Sequence, residues 1–263
     1  MQTKSSFNEM GRAPRGAFRG GYSQVDLVVT IGVVAILAVW LGVSHWGERG
    51  RTARCAGNLQ VLGHAMHDFA GDHENGLPAA GMDLPGSSIS WDTLVVQYLK
   101  LRSVDLMAQF VTCPSDPAPH NGSTRSYAMG GNDMAPEHWP PGGDSATGVG
   151  LFWDNGTVLS LANREALQKL ELLPALKLSA VPVPAETLLL TDFIDPNNTM
   201  GNPRQTTVFN TSQQRHYFDD AGARFHRSRF NYLMVDGHVE WLSPLQTAAV
   251  GGATGIWNLK KTN

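Results

Sequence analysis

The chain is short of several things that would narrow its function quickly. Of its 263 residues only two are cysteines, Cys55 and Cys113, too few for a disulfide scaffold or for a zinc site of the CxxC type. Charged residues make up 16% and the formal net charge is −3, which leaves no basic footprint for nucleic acid. There is no GxSxG, no phosphate-binding P-loop, no HExxH and no dinucleotide fingerprint, so no enzyme class is indicated. Internal repeats are absent as well. What the chain has in quantity is 28 Gly and 15 Pro, which predicts much loop around a folded core built from a 42% hydrophobic fraction.

There is one long hydrophobic run. Residues 1–21, MQTKSSFNEMGRAPRGAFRGG, carry Lys4, Arg12, Arg15 and Arg19 against Glu9 alone. From Leu27 to Val43 the chain then has no charge and is almost wholly apolar. Seventeen residues rise roughly 25 Å as a helix, at the short end of what crosses a bilayer core. A secretory signal places small residues after its apolar run. Here the Gly20-Gly21 pair precedes it, so a cut after Gly21 removes the basic leader and keeps the helix. Arg49, Arg51 and Arg54 on the far flank leave the positive-inside count nearly even.

Beyond Ser44 the pattern stays helical to about Glu74, with Leu59, Leu62, Met66 and Phe69 forming an apolar stripe. Asn75-Gly76 and Pro78 predict its end. His64, His67, Asp68, Asp72, His73 and Glu74 share this segment, and His64/Asp68 fall four apart on one face. With no completing ligands elsewhere, they read as the polar side of an amphipathic helix. Residues 90–101 predict a short amphipathic helix, 132–156 a surface loop, 163–178 a helix broken at Pro174 and 186–193 a strand. Asp192, Asp195 and Asn197 are candidate oxygen ligands for calcium, although Asx-rich turns arise for backbone reasons too.

The segment FHRSRFNYLMVDGHVEWL (225–242) raises the sharpest question, because His226 precedes Asp236-Gly237 by nine residues and His238 follows. RFNYLMV and HVEWL alternate like strands, and Asp-Gly between them predicts a hairpin with a type I′ turn. Ten extended residues span roughly 33 Å, so His226 and Asp236 do not meet within one chain unless HRSR turns back.

These features together resemble the bacterial pseudopilin-like proteins of type II secretion and type IV pili. Their signal is a basic leader ending in Gly, an aromatic residue, an acidic residue at the fifth mature position and a hydrophobic helix. Gly21, Tyr22, Asp26 and Leu27–Val43 fall on it in order, with Tyr for the commoner Phe and Asp for the usual Glu. A branch of the group, marked by a "prepilin-type processing-associated H-x9-DG" segment, also carries Cys/Ser-x-x-Asn-Leu-Lys-Gln, Cys-Pro-Ser-Asp and Ser-Tyr elements. Cys55, Asn58, Leu59 and Gln60, then Cys113–Asp116, then Ser126-Tyr127, then His226, Asp236 and Gly237 match these in order.

The resemblance implies an α+β, type IV pilin-like fold, with one long N-terminal helix packed on an antiparallel sheet and small extra helices. It implies a leader at 1–21, a transmembrane and assembly helix at 22–43 and an exported domain at 44–263. It also implies cutting at Gly21/Tyr22 by a prepilin peptidase, with N-methylation, and Asp26 meeting the amine of a neighbouring subunit. The location would be the bacterial inner membrane, single-pass, with the body in the periplasm or in a pilus-like fibre. The role would be structural, not enzymatic. Both cysteines lie at positions this group uses, so an exported body is expected to hold either a Cys55–Cys113 bridge or two buried thiols. The rival readings are a single-pass, membrane-anchored surface domain binding a glycan or metal, and an exported hydrolase using His226 or His238.

Overall fold

A computed structural model describes residues 24–84, 87–100, 104–132, 148–154, 176–208, 210–211, 213–214, 225–249 and 252–259. The leader, Gly21 and Tyr22 lie outside these residues, as do the side chain of Asp26 and residues 163–175 of the helix expected over 163–178; the end of that segment is not helical as expected, because Lys177 bridges to Gly76 and Leu178 opens a 3-10 turn. The chain divides into two compact units, Met1–His45 and Trp46–Asn263.

The first helix, α1, runs Gln24–Asp72. In the first unit its described apolar side chains, Val25 to Leu37, are all exposed. Among the described residues no helix is long and apolar enough to cross a membrane.

In the second unit, α1 buries Cys55, Asn58, Leu59, Leu62, Ala65, Met66, Phe69 and Ala70. The spacings of three and four put them on one stripe, including all four residues the apolar periodicity picks out. The stripe lies close on the sheet: a Cβ at Gly63 would stand 3.0 Å from a Leu233 methyl carbon. The helix ends through left-handed Glu74 and Asn75, with the Asn75 N–H donating to the Ala70 carbonyl at 2.8 Å. That left-handed exit satisfies a carbonyl the helix would otherwise leave open.

Among the described residues eight strands form the sheet: β1 (Gly81–Leu84), β2 (Ser87–Ser90), β3 (Tyr127–Asn132), β4 (Gly150–Asp154), β5 (Leu188–Asp192), β6 (Thr207–Val208), β7 (Phe230–Met234) and β8 (Val239–Leu242). Their order is β2-β1-β4-β3-β5-β7-β8, with β6 also paired to β3. The sheet is mixed, which corrects the antiparallel expectation: β4 runs parallel to both β1 and β3, and β6 parallel to β3. Parallel neighbours need a crossover. The chain between β2 and β3 carries α2 (Trp91–Val95), a 3-10 turn at Val96–Leu99 and α3 (Val104–Val111), and β3 re-enters the sheet two places from β1, with β4 between them. The helix expected over 90–101 is therefore two short pieces.

β4 also corrects the expected loop at 132–156. Glycine there serves close packing: a Cβ at Gly148 would overlap the Gly130 carbonyl oxygen, and one at Gly150 would lie 2.7 Å from the Met129 Cβ. A Gly-rich segment can therefore be a central strand wherever another backbone lies against it.

The C-terminal hairpin pairs Phe230–Leu233 with Val239–Leu242. Its turn is not type I′, because of Asp236 and Gly237 only Gly237 has positive φ, +95°. The Gly237 N–H donates to the Met234 carbonyl at 3.0 Å and the Met234 N–H to the His238 carbonyl at 2.9 Å. This is a three-residue loop closed by a left-handed glycine, so one positive φ suffices. A helix α4 (Pro244–Ala249) and a 3-10 segment at Gly252–Trp257 follow, and Trp257 packs edge-on to Tyr232.

Candidate functional site: a buried histidine against the disulfide

Segments far apart in the sequence converge where α1 crosses the sheet. Cys55 on α1 is bonded to Cys113, just past α3, across a sequence separation of 58. Asn58, one turn along α1, donates from Nδ2 to the carbonyls of Gln109 and Thr112, at 2.9 and 3.1 Å. These are orphan carbonyls at the end of α3, so Asn58 caps the helix that delivers Cys113. In the following turn, Asp116 accepts from Ser126 Oγ at 2.6 Å, from the Ala118 N–H at 2.9 Å and from His120 Nε2 at 3.0 Å. The Cys-x-x-Asn, Cys-Pro-Ser-Asp and Ser-Tyr elements thus build one joint.

His226 completes it. The imidazole is fully buried, with Nε2 3.2 Å from Cys113 Sγ and 3.8 Å from Asp192 Oδ2. Its other nitrogen, Nδ1, lies 2.9 Å from Thr52 Oγ1 and 3.4 Å from Glu48 Oε1. The Thr52 hydroxyl already donates to the Glu48 backbone carbonyl at 2.9 Å. Thr52 Oγ1 is therefore free to accept, and Nδ1 carries the proton beside the Glu48 carboxylate. Nε2 is left as an unprotonated lone pair aimed at a sulfur that has no hydrogen to give. Glu48 also receives Ser115 Oγ at 3.2 Å and Arg51 at 2.6 Å. Burial pushes Glu48 upward, but the Arg51 hydrogen bond and charge, with smaller help from His226, hold it below the usual range.

The backbone that brings His226 here is strained. His226, Arg227 and Ser228 have φ of +41°, +61° and +63°, three successive non-glycine residues in the left-handed region. Each such residue costs of order 1 kcal/mol. HRSR thus turns the chain before β7 begins, and His226 points into the joint. Asp236 sits at the hairpin tip, bonded to His238 Nδ1 at 2.6 Å. The two motif residues, His226 and Asp236, have different partners. His238 also lies 3.3 Å from Glu240. Burial lowers His238, yet Asp236 and Glu240 outweigh it and raise it.

Asp192 is the unexpected member. It is fully buried, and Oδ2 accepts from the Asn231 N–H at 2.6 Å and from Asn231 Nδ2 at 3.0 Å, while Oδ1 has no hydrogen-bond partner. Desolvation raises it to about 7 against the lowering by Asn231. Desolvation likewise lowers His226 to about 4, with Glu48 opposing. Burial shifts both groups toward their neutral forms.

The signs oppose. Below its ordinary 6.5, unfolded His226 takes up a proton that the folded form refuses until about 4, so that stabilising contribution is lost on acidification. Folded Asp192 holds a proton from about 7 downward that the unfolded form takes only near 3.8, so acidification adds stability there. Asp192→Asn removes the second contribution. Its stability, by denaturant titration, is expected to fall from pH 6.5 to 4 by about 1 kcal/mol per pH unit more than that of the wild type. A parallel fall in both proteins would contradict this balance.

Four of the other sequence candidates have structural partners. His67 Nε2 meets the Val235 carbonyl at 2.7 Å, and His73 meets the Phe69 carbonyl at 2.7 Å while stacking on that ring. Asp195 Oδ1 accepts from the Asn197 N–H at 2.8 Å, and Asn197 Oδ1 from Asn121 at 3.1 Å. The loop they occupy closes around a buried guanidinium. Arg125 donates to Asp92 and Asn198 at 2.6 Å each, and to the Asn202 and Arg204 carbonyls at 2.9 and 3.1 Å. Asp192, Asp195 and Asn197 therefore serve different partners.

Glu48 and Thr52 are members of the joint that sequence reasoning misses, while Asp192 is picked out there only as a calcium candidate beside Asp195 and Asn197, not as a neighbour of His226. Glu48 and Thr52 share one face of α1 with Cys55, a periodicity visible in retrospect. The local signal at Asp192 is the end of a strand before an Asx-rich loop, which points toward Asp195 and Asn197 rather than toward His226. No family model, no curated protein and no solved structure matches the chain.

Proposed function

We propose that this protein is a pseudopilin-like structural subunit of a type II secretion-like or pilus-like fibre, held in the bacterial inner membrane by the apolar segment 22–43, part of which lies outside the described residues. The observation that carries the reading is the start of α1. Val25, Leu27, Val28, Val29, Ile31, Val33, Val34, Ile36 and Leu37 stand 51–70% exposed. They point in all directions around the helix rather than along one stripe, and water does not favour such a surface. A lipid bilayer or a bundle of like helices does. The Cys55–Cys113 disulfide supports export, because such bonds persist in oxidising compartments.

In this reading a prepilin peptidase cuts between Gly21 and Tyr22, and Asp26 sets register against the amine of the next subunit. Asp26 would sit in an apolar helix bundle, where an unpaired carboxylate is costly and a paired one is specific. The second unit is the exported body.

A photo-crosslinking amino acid placed at Val33 tests assembly in cells. The fibre reading expects a ladder of multimers of this chain. A membrane-tethered surface domain, the rival role, would give monomer alone.

A further inference from the structure

We propose that, in its dithiol form, this protein binds one Zn²⁺ through Cys55, Cys113, His226 and Asp192, so that the disulfide and the metal site are alternative states of the same four residues. The inference does not depend on the assembly reading.

All four residues are buried, and one ligand atom from each lies within 4.8 Å of the others. A tetrahedral zinc site with ordinary bond lengths has edges of about 3.6 Å between sulfur and nitrogen and about 3.4 Å between nitrogen and oxygen. Cys113 Sγ to His226 Nε2 is 3.2 Å, and His226 Nε2 to Asp192 Oδ2 is 3.8 Å. Those two edges are nearly in place before any metal arrives. Two thiolates, an imidazole and a carboxylate form a donor set suited to zinc rather than to the hard ions calcium and magnesium.

The groups behind the ligands are arranged as metal sites require. A metal-bound histidine holds its second ring N–H against a carboxylate or another acceptor. His226 Nδ1 has Thr52 Oγ1 and Glu48 Oε1 in that position, which leaves the Nε2 lone pair facing the sulfurs. Asp192 is oriented by two bonds from Asn231, and its Oδ1 is buried with no hydrogen-bond partner. In the disulfide form Cys113 Sγ has no hydrogen for the Nε2 lone pair, and Asp192 Oδ1 has no hydrogen-bond partner.

The interconversion balances. A dithiol reductant gives two electrons and two protons to the Cys55–Cys113 bond and leaves as its own disulfide. Zn²⁺ then displaces the two thiol protons as it binds. In reverse, a small disulfide takes two electrons from the thiolates, releasing Zn²⁺ and two thiolates of its own. Because all four residues are buried, exchange requires the joint to open, so loading accompanies folding.

The test uses the full chain in detergent with Co²⁺ as a spectroscopic probe. The protein is unfolded, reduced with a phosphine and refolded anaerobically with Co²⁺, beside protein kept in the disulfide form. The expected result is one Co²⁺ per reduced chain. It should show a thiolate-to-cobalt charge-transfer band and intense tetrahedral visible bands, both displaced by Zn²⁺ and absent from the disulfide form. His226→Gln and, separately, Asp192→Asn should each weaken cobalt binding at least about tenfold. Absence of the charge-transfer band from the reduced wild type overturns the proposal, even if both variants fail to fold. So does equal cobalt uptake by the disulfide form, or wild-type affinity in either variant.

Discussion

Replacing His226 by alanine is expected to destabilise the second unit by about 4 kcal/mol, measured by chemical denaturation of the detergent-solubilised chain. Two losses combine. Removing a fully buried ring leaves a cavity between α1, the Cys113 turn and β5. It also leaves Thr52 Oγ1 without the Nδ1 proton it accepts and removes one of the groups beside Glu48 Oε1. Alanine keeps the backbone penalty of a φ of +41°, now without the imidazole contacts that offset it. His226→Gly loses the same ring but relieves that backbone, and should recover about 1 kcal/mol relative to alanine. A loss below about 1 kcal/mol for His226→Ala would mean that the joint does not hold His226 as described. Glycine no better than alanine would mean that the left-handed turn at HRSR carries no strain.

Opening the disulfide should have a comparable effect through the other state. Cys55→Ser/Cys113→Ser frees a loop whose ends are 58 residues apart, and the chain-entropy estimate for that length is about 4 kcal/mol. The bond joins α1 to the turn after α3, the same two segments that Asn58 and Ser115–Glu48 link. Because Cys113 Sγ touches His226 Nε2, the two substitutions should not add. The triple variant should lose less than the sum of its parts by at least about 0.5 kcal/mol. Full additivity would indicate that the histidine and the disulfide stabilise separate regions.

Much of this fold is legible in the sequence wherever a local period exists. The stripe Leu59, Leu62, Met66 and Phe69 predicts the buried face of α1, because a helix must put every third or fourth residue on one side. The β5 strand is legible as a short apolar run and the C-terminal hairpin by its Asp-Gly turn, although Leu188–Asp192 and Phe230–Met234 are buried throughout rather than at alternate residues. The sheet's mixed order is not, since parallel pairing of β4 with β1 and β3 depends on crossovers whose return point no local pattern fixes. Gly148 and Gly150 read as loop residues, yet their missing side chains are what allow β4 to lie against β3.

The site divides in the same way. The motif spacing points to His226, and the length of an extended strand separates it from Asp236. What His226 meets instead comes from α1, from the Cys113 turn and from the end of β5, residues 34 to 178 positions away in the chain. The condition that HRSR turn back is stated by the geometry of an extended strand. Three consecutive left-handed residues without a glycine are not something composition predicts. The Asp-Gly hairpin is legible as a hairpin, while its turn type is settled by a hydrogen-bond pattern that admits one positive φ in place of two.

The assembly reading rests on what happens at the front of α1, and the mass of the mature N-terminus tests it most directly. Purified from a bacterium with an active prepilin peptidase, the protein is expected to begin at Tyr22 with an N-methyl group, and Gly21→Ala is expected to leave residues 1–21 attached. A wild-type chain that retains its leader in such a cell, or a Gly21→Ala chain that is trimmed as the wild type is, would contradict the account.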